Sequence, residues 1–80
     1  MTRNLPASRE RVAQDRLKRF DFGARVQRTE AWIETMRDAL SCKVHIGDRQ
    51  GSRCLTFRVV FEPSSSRVRD IEVGECLPLG

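Results

Sequence analysis

Apolar positions along this chain follow two different periods, helical before residue 41 and alternating after it. From about residue 8 to 21 the apolar stripe is thin, with Ala13, Leu17 and Phe20 spaced i, i+4, i+7. Arg9, Arg11, Arg16, Lys18 and Arg19 fill most of the remaining circumference. Asn4 or Ser8 can cap this segment, Pro6 suits a first turn, and Gly23 marks its end, so a first helix is predicted there. From Arg25 to Leu40, Val26, Ile33 and Leu40 recur every seven residues, Met36 fills the gap, and Trp32 with Ala39 widens the stripe. That spacing predicts a second, core-facing helix.

Beyond Ser41 the period becomes two. Cys42, Val44 and Ile46 alternate with Lys43 and His45, Gly47-Asp48-Arg49-Gln50-Gly51 reads as a turn, and Leu55, Phe57, Val59 and Phe61 alternate with Cys54, Thr56, Arg58 and Val60. Setting Ile46 opposite Arg53 puts Val44 opposite Leu55 and Cys42 opposite Phe57, so both apolar rows share one face; a one-residue slip would split them. Pro63-Ser64-Ser65-Ser66 breaks the pattern. Residues 67–73 then fit a third antiparallel strand better than a helix, with either two arginines on the inner face or a bulge, and Leu77-Pro78-Leu79 ends the chain extended. The predicted fold is α+β: two N-terminal helices followed by a small three-stranded antiparallel β-meander, the second helix lying across the sheet. Residues 1–80 form one domain, in which 1–28 are a basic arm and helix and 29–80 the core.

Charge sharpens this division. Residues 1–28 carry eight basic and three acidic groups, a balance of +5, whereas 29–80 carry seven basic and eight acidic, a balance of −1. Arginine outnumbers lysine 13 to 2, and guanidinium groups stay charged, grip phosphate or carboxylate bidentately and stack on flat rings. Arg9 with Arg16, and Arg11 with Lys18, stand seven apart and so form two cationic rows on a helix. Arg49, Arg53 and Arg58 extend the basic surface onto the hairpin, Arg58 from its outward face. An 80-residue chain buries a modest fraction of its surface, so a homodimer is expected, paired through Val26, Trp32, Ile33, Met36 and Leu40. No stretch approaches the roughly 18 consecutive apolar residues of a membrane span. An odd number of cysteines, three, suits a reducing compartment better than a complete disulfide framework, so a cytoplasmic protein is expected.

Catalytic and metal motifs are missing from the sequence. Cys42, His45, Cys54 and Cys76 make up an accepted zinc set, but strand positions three apart point to opposite faces, so Cys42 and His45 do not reach one ion. The same pairing puts Cys42 inside and Cys54 outside the hairpin, which disfavours a disulfide between them; the thiols are expected to be buried or incidental. His45 has no serine or cysteine nucleophile beside it, and Gly47 and Gly51 flank a turn rather than a phosphate loop. The expectation is a non-enzymatic protein without cofactor or metal.

The run Leu40-Ser41-Cys42-Lys43-Val44-His45-Ile46, a Gly-bounded turn and Leu55-Thr56-Phe57-Arg58-Val59 resemble, over about residues 30–62, the C-terminal dimerisation domain of ParB-type partition proteins. The chain departs from that family at Ser41, where glycine is usual, and after Pro63, where the family has an amphipathic helix. The resemblance implies a homodimer whose basic residues touch DNA with little sequence preference. The function expected from the residues is a small intracellular nucleic-acid-associated protein binding through Arg9, Arg11, Arg16, Lys18, Arg19, Arg49, Arg53 and Arg58. The alternative is a phage- or mobile-element-encoded inhibitor or adaptor whose arginines dock on an acidic protein surface.

Overall fold

A computed structural model describes residues 5–35, 38–49 and 51–76. One helix, α1 (Leu5–Arg19), precedes five strands: β1 (Arg25–Thr29), β2 (Ile33–Glu34), β3 (Ala39–Asp48), β4 (Gly51–Phe61) and β5 (Val68–Glu75). The strands form one antiparallel sheet in the order β1-β3-β4-β5, with β2 also paired to β3. Helix α1 lies on one face of this sheet, giving a two-layer slab of 49 × 29 × 19 Å.

The central hairpin has the register that its alternation demands. Ile46 pairs with Arg53, Val44 with Leu55 and Cys42 with Phe57, so one face collects Cys42, Val44, Ile46, Leu55, Phe57, Val59 and Phe61, all buried. Pairing continues to Asp48 and Gly51, which shortens the turn to the two positions between them. From α1, Ala13 is fully buried in this core, and Val12 and Leu17 pack against it. Phe20 and Phe22 close the helix end over Phe57, with ring centroids 5.3 and 5.7 Å away. Gly23, with φ +76°, and the Asx turn formed as its N–H donates to Asp21 Oδ1 at 2.9 Å reverse the chain into β1.

The second predicted helix does not exist: the described residues between 25 and 40 include β1, β2 and the start of β3, and none of them is helical. Val26 faces the core side opposite Ile46, Ile33 lies on the opposite sheet face beside Ser41 and is 63% exposed, and Leu40 packs inward opposite Val59. The seven-residue recurrence therefore joins three strands and two faces by coincidence of spacing. The physical cause is β3, a buried ten-residue strand whose backbone groups on the side away from β4 need partners. Strands β1 and β2 supply them, and this tertiary pairing overrides a respectable local helix propensity. Asp38, with φ +62°, makes the reversal from β2 into β3 and ends any helical path there. The fold is a single helix on a five-stranded sheet, not two helices and a three-stranded meander.

The last predicted strand is present as β5. A bulge lies between its pairs Val60↔Asp70 and Phe61↔Val68, leaving Arg69 as the extra residue. The extra residue puts both Val68 and Ile71 against the core and removes the need to bury an arginine. The expectation of unbridged thiols is overturned for two of three cysteines: Cys54 and Cys76 are joined by a disulfide, Cα atoms 5.4 Å apart, tying β4 to the end of β5, and Cys42 alone is free and buried. An odd count forbids only a complete framework. Cys54 lies on the outer side of the hairpin, where β5 is its neighbour. The extended end at Leu77-Pro78-Leu79 lies outside the described residues.

Two outcomes follow from this packing. Phe57→Ala is expected to cost about 3 to 5 kcal/mol in denaturant unfolding, whereas Arg58→Ala, on the outer face, is expected to cost about 1 kcal/mol or less. Closing a 22-residue separation, the disulfide contributes about 3 kcal/mol by restricting the unfolded chain, so thermal melts with and without reductant should differ by that amount with Cys42→Ala as background.

Candidate functional site

The structure divides the expected binding residues into three groups. Arg9 is a structural residue. Its side chain is 11% exposed, and Nε donates to the Ser65 carbonyl at 2.7 Å. Nη2 donates to Asp38 Oδ1 at 2.9 Å and to the Glu62 carbonyl at 3.3 Å. The guanidinium also lies 5.0 Å from the centroid of Phe61. Arg9 thus turns toward the sheet with Ala13 and Leu17, and the expected row of Arg9 with Arg16 is not a continuous solvent-facing row.

A second group is neutralised by neighbours. Arg19 pairs with Asp15 at 3.3 Å one helical turn away, Arg53 with Glu75 at 2.9 Å and Arg58 with Glu72 at 3.3 Å. Arg53 shares its strand face with Leu55 and Phe57, while Arg58 is on the opposite one. The two hairpin arginines are therefore not brought together. The third group is open: Arg11, Arg16 and Lys18 are exposed on α1 and Arg49 in the hairpin turn, and among the described residues none of them forms an ion pair. Arg25, paired with Gly47, adds an exposed cation at the hairpin end of the slab.

The expected dimer row is likewise dispersed. Trp32 and Leu40 pack against the core, Trp32 edge-on to Phe57 at 6.2 Å, while Val26 and Ile33 are exposed on different sheet faces. Met36 lies outside the described residues. Among the described residues no helix lies on the sheet face away from α1.

Potential chemistry at the cysteines and His45 is accounted for by burial and pairing. Burial pushes the Cys42 thiol up to about 11, with the Glu30 charge a lesser contribution, so it stays protonated at neutral pH and is a poor nucleophile or metal ligand. His45 Nε2 lies 2.9 Å from Glu30 Oε2, and Arg28 Nη1 approaches the same oxygen at 3.7 Å. The His45 hydrogen bond is the main reason the Glu30 carboxyl is held below its ordinary value, with Lys43, His45 and Arg28 charges adding to it. Among the described residues no three His, Cys, Asp or Glu side chains converge as metal ligands, and no helix is long and apolar enough to cross a membrane.

Sequence reasoning missed an acidic trough along α1. Glu10 and Trp32 line two adjacent cavities, of about 520 and 430 Å³, between the helix and the β1–β2 edge. The signal was present as Glu10, Glu30 and Glu34 around the single tryptophan, but it needed β1 and β2 to be strands.

No family model, curated protein or solved structure matches this chain. Leu40 lies in β3, which begins at Ala39, and β5 follows the break at Pro63.

The arginines should separate by role in stability measurements. Arg9→Ala is expected to lose about 2 to 4 kcal/mol, below the full cost of a completely buried pair because Asp38 is partly exposed. Arg9→Lys should recover only part of that, since an ammonium lacks the planar fork, and Arg11→Ala should stay within about 0.5 kcal/mol of the parent in urea melts.

Proposed function

We propose that this chain is a small non-enzymatic binding protein that engages nucleic acid through cations on α1 and at the hairpin end. The observation that carries the reading is the set Arg11, Arg16 and Lys18, exposed on one helix and not spent on ion pairs among the described residues. Arg25 and Arg49 extend this positive surface at the hairpin end, beyond the last helical turn, which itself is basic with Arg16, Lys18 and Arg19. Groups on a helix and a hairpin tip track phosphates by position and charge, with little base readout. Arg9, Arg53 and Arg58 are not part of this surface.

A second reading, an adaptor or inhibitor that binds a protein, is favoured by Ile33, exposed on the sheet face opposite α1. A cytoplasmic home fits the nucleic-acid reading, with Cys54 and Cys76 as thiols wherever the compartment keeps them reduced.

Salt titration decides between the two. Fluorescence anisotropy with a labelled duplex and a labelled single strand should show binding that weakens steeply as salt rises. The Arg11→Ala/Arg16→Ala/Lys18→Ala variant should lower the slope of log K against log salt by about 2 to 3, while Arg58→Ala leaves it unchanged. Absence of binding at low salt would sink the nucleic-acid reading and leave the protein partner.

A further inference from the structure

We propose that the trough between α1 and the β1–β2 edge is a docking groove for an extended peptide segment carrying a basic side chain, which lies over Trp32 between Glu10 and Glu34. Its floor is apolar: Trp32 and Leu40 line the first cavity, Trp32 and Leu17 the second. The indole is fixed edge-on to Phe57 at 6.2 Å, so it is a preformed surface.

Charge complementarity selects the occupant. The chain as a whole carries +4, yet the two cavities are lined by Glu10, Glu30, Glu34 and Asp38 against Arg9 and Lys18, a reversal to −2. Asp38 is engaged by Arg9 and Glu30 by His45 and Arg28. Glu10 and Glu34 are exposed and form no ion pair among the described residues; Lys18 is likewise unpaired but lines only the second cavity, so the first cavity, with both carboxylates beside the indole, is the part left to receive a cation. A guanidinium or ammonium is the group that both an indole and carboxylates attract. From Arg9 to Lys18 the helix advances about 13 Å, which matches roughly four extended residues. The proposal rests on Glu10, Glu34 and Trp32; it shares only Lys18, at the far end of the second cavity, with the polyanion reading.

Trp32 is the chain's one tryptophan and reports directly on the groove. The probe is acetyl-Ala-Ala-Arg-Ala-amide, with its citrulline counterpart as the uncharged isostere and agmatine as the free cation. The Arg peptide should change Trp32 emission saturably, and the citrulline peptide should bind about tenfold more weakly, since a charge-assisted bond is replaced by a neutral one. Glu10→Gln and Glu34→Gln should each weaken the Arg peptide about fivefold or more while leaving the melting temperature and the nucleic-acid salt slope unchanged. Equal binding of the citrulline peptide, indifference to both substitutions, or no saturable change would overturn the proposal. Agmatine binding as tightly as the peptide would overturn the peptide occupant in favour of a small organic cation. A sedimenting dimer that dissociates in Glu34→Gln would overturn it in favour of a second copy.

Discussion

The guanidinium of Arg9 ties together the parts of this protein that are farthest apart in sequence. It joins α1 to the turn before β3 through Asp38 and to the turn after β4 through the Glu62 and Ser65 carbonyls, and it lies on the Phe61 ring at the end of the hairpin. Both turns contain a residue at positive φ, Asp38 at +62° and Ser64 at +55°, and such backbone conformations persist only where the surroundings over-determine them. The Asp38 turn is further fixed by the Phe61 N–H donating to the Asp38 carbonyl at 2.8 Å. One side chain thus sets the angle of the helix across the sheet and holds the two reversals that deliver β3 and β5 to β4.

With that end fixed, the sheet organises around β3 and β4. Their inward residues leave no room for a second helical layer, because α1, Phe20, Phe22 and Trp32 already cover Phe57. Residues 25–35 therefore satisfy the open edge of β3 as strands. At the hairpin end, the Gln27 side-chain amide occupies the space that a Cβ on Gly47 would need, so glycine there lets Gln27 fold over β3. A larger residue at position 47 would displace the end of the Gln27 side chain.

What was legible in the sequence was whatever depends on a short period. The register of β3 and β4 followed from alternation, because only one pairing places Val44, Leu55, Cys42 and Phe57 on a single face. The first helix followed from the spacing of Ala13 and Leu17, although it ends at Arg19, before the expected boundary, and Gly23 makes the turn into β1. The segment from Arg25 to Leu40 was misleading because its helix signal is local, whereas its strand identity comes from the need of a distant strand for hydrogen-bond partners. The bridge from Cys54 to Cys76 was hidden for the same reason, since it depends on the β5 register. Among the candidate site residues, side-chain type gave the positive charge but not its partners: Asp38, Glu72 and Glu75 lie 29, 14 and 22 residues from the arginines they engage.

Those partners decide what an arginine-rich composition means. Counted along the chain, the first third has a surplus of five positive charges. In the folded molecule, Arg9 is drawn into the packing, Arg19 and Arg28 meet carboxylates near them in sequence, and Arg53 and Arg58 meet the acidic residues of β5. Exposed pairs of this kind add little stability, but they cancel field locally; Arg11, Arg16 and Lys18 on α1 and Arg25 and Arg49 at the hairpin end are among the cations that form no ion pair within the described residues. Glu10 and Glu34, which form no ion pair among the described residues, fall beside Trp32, and Lys18 lines the far part of the same trough. The trough is therefore a product of the sheet topology: had residues 25–40 formed a helix, the outer edge of β3 would have no strand to pair with and the trough would not form.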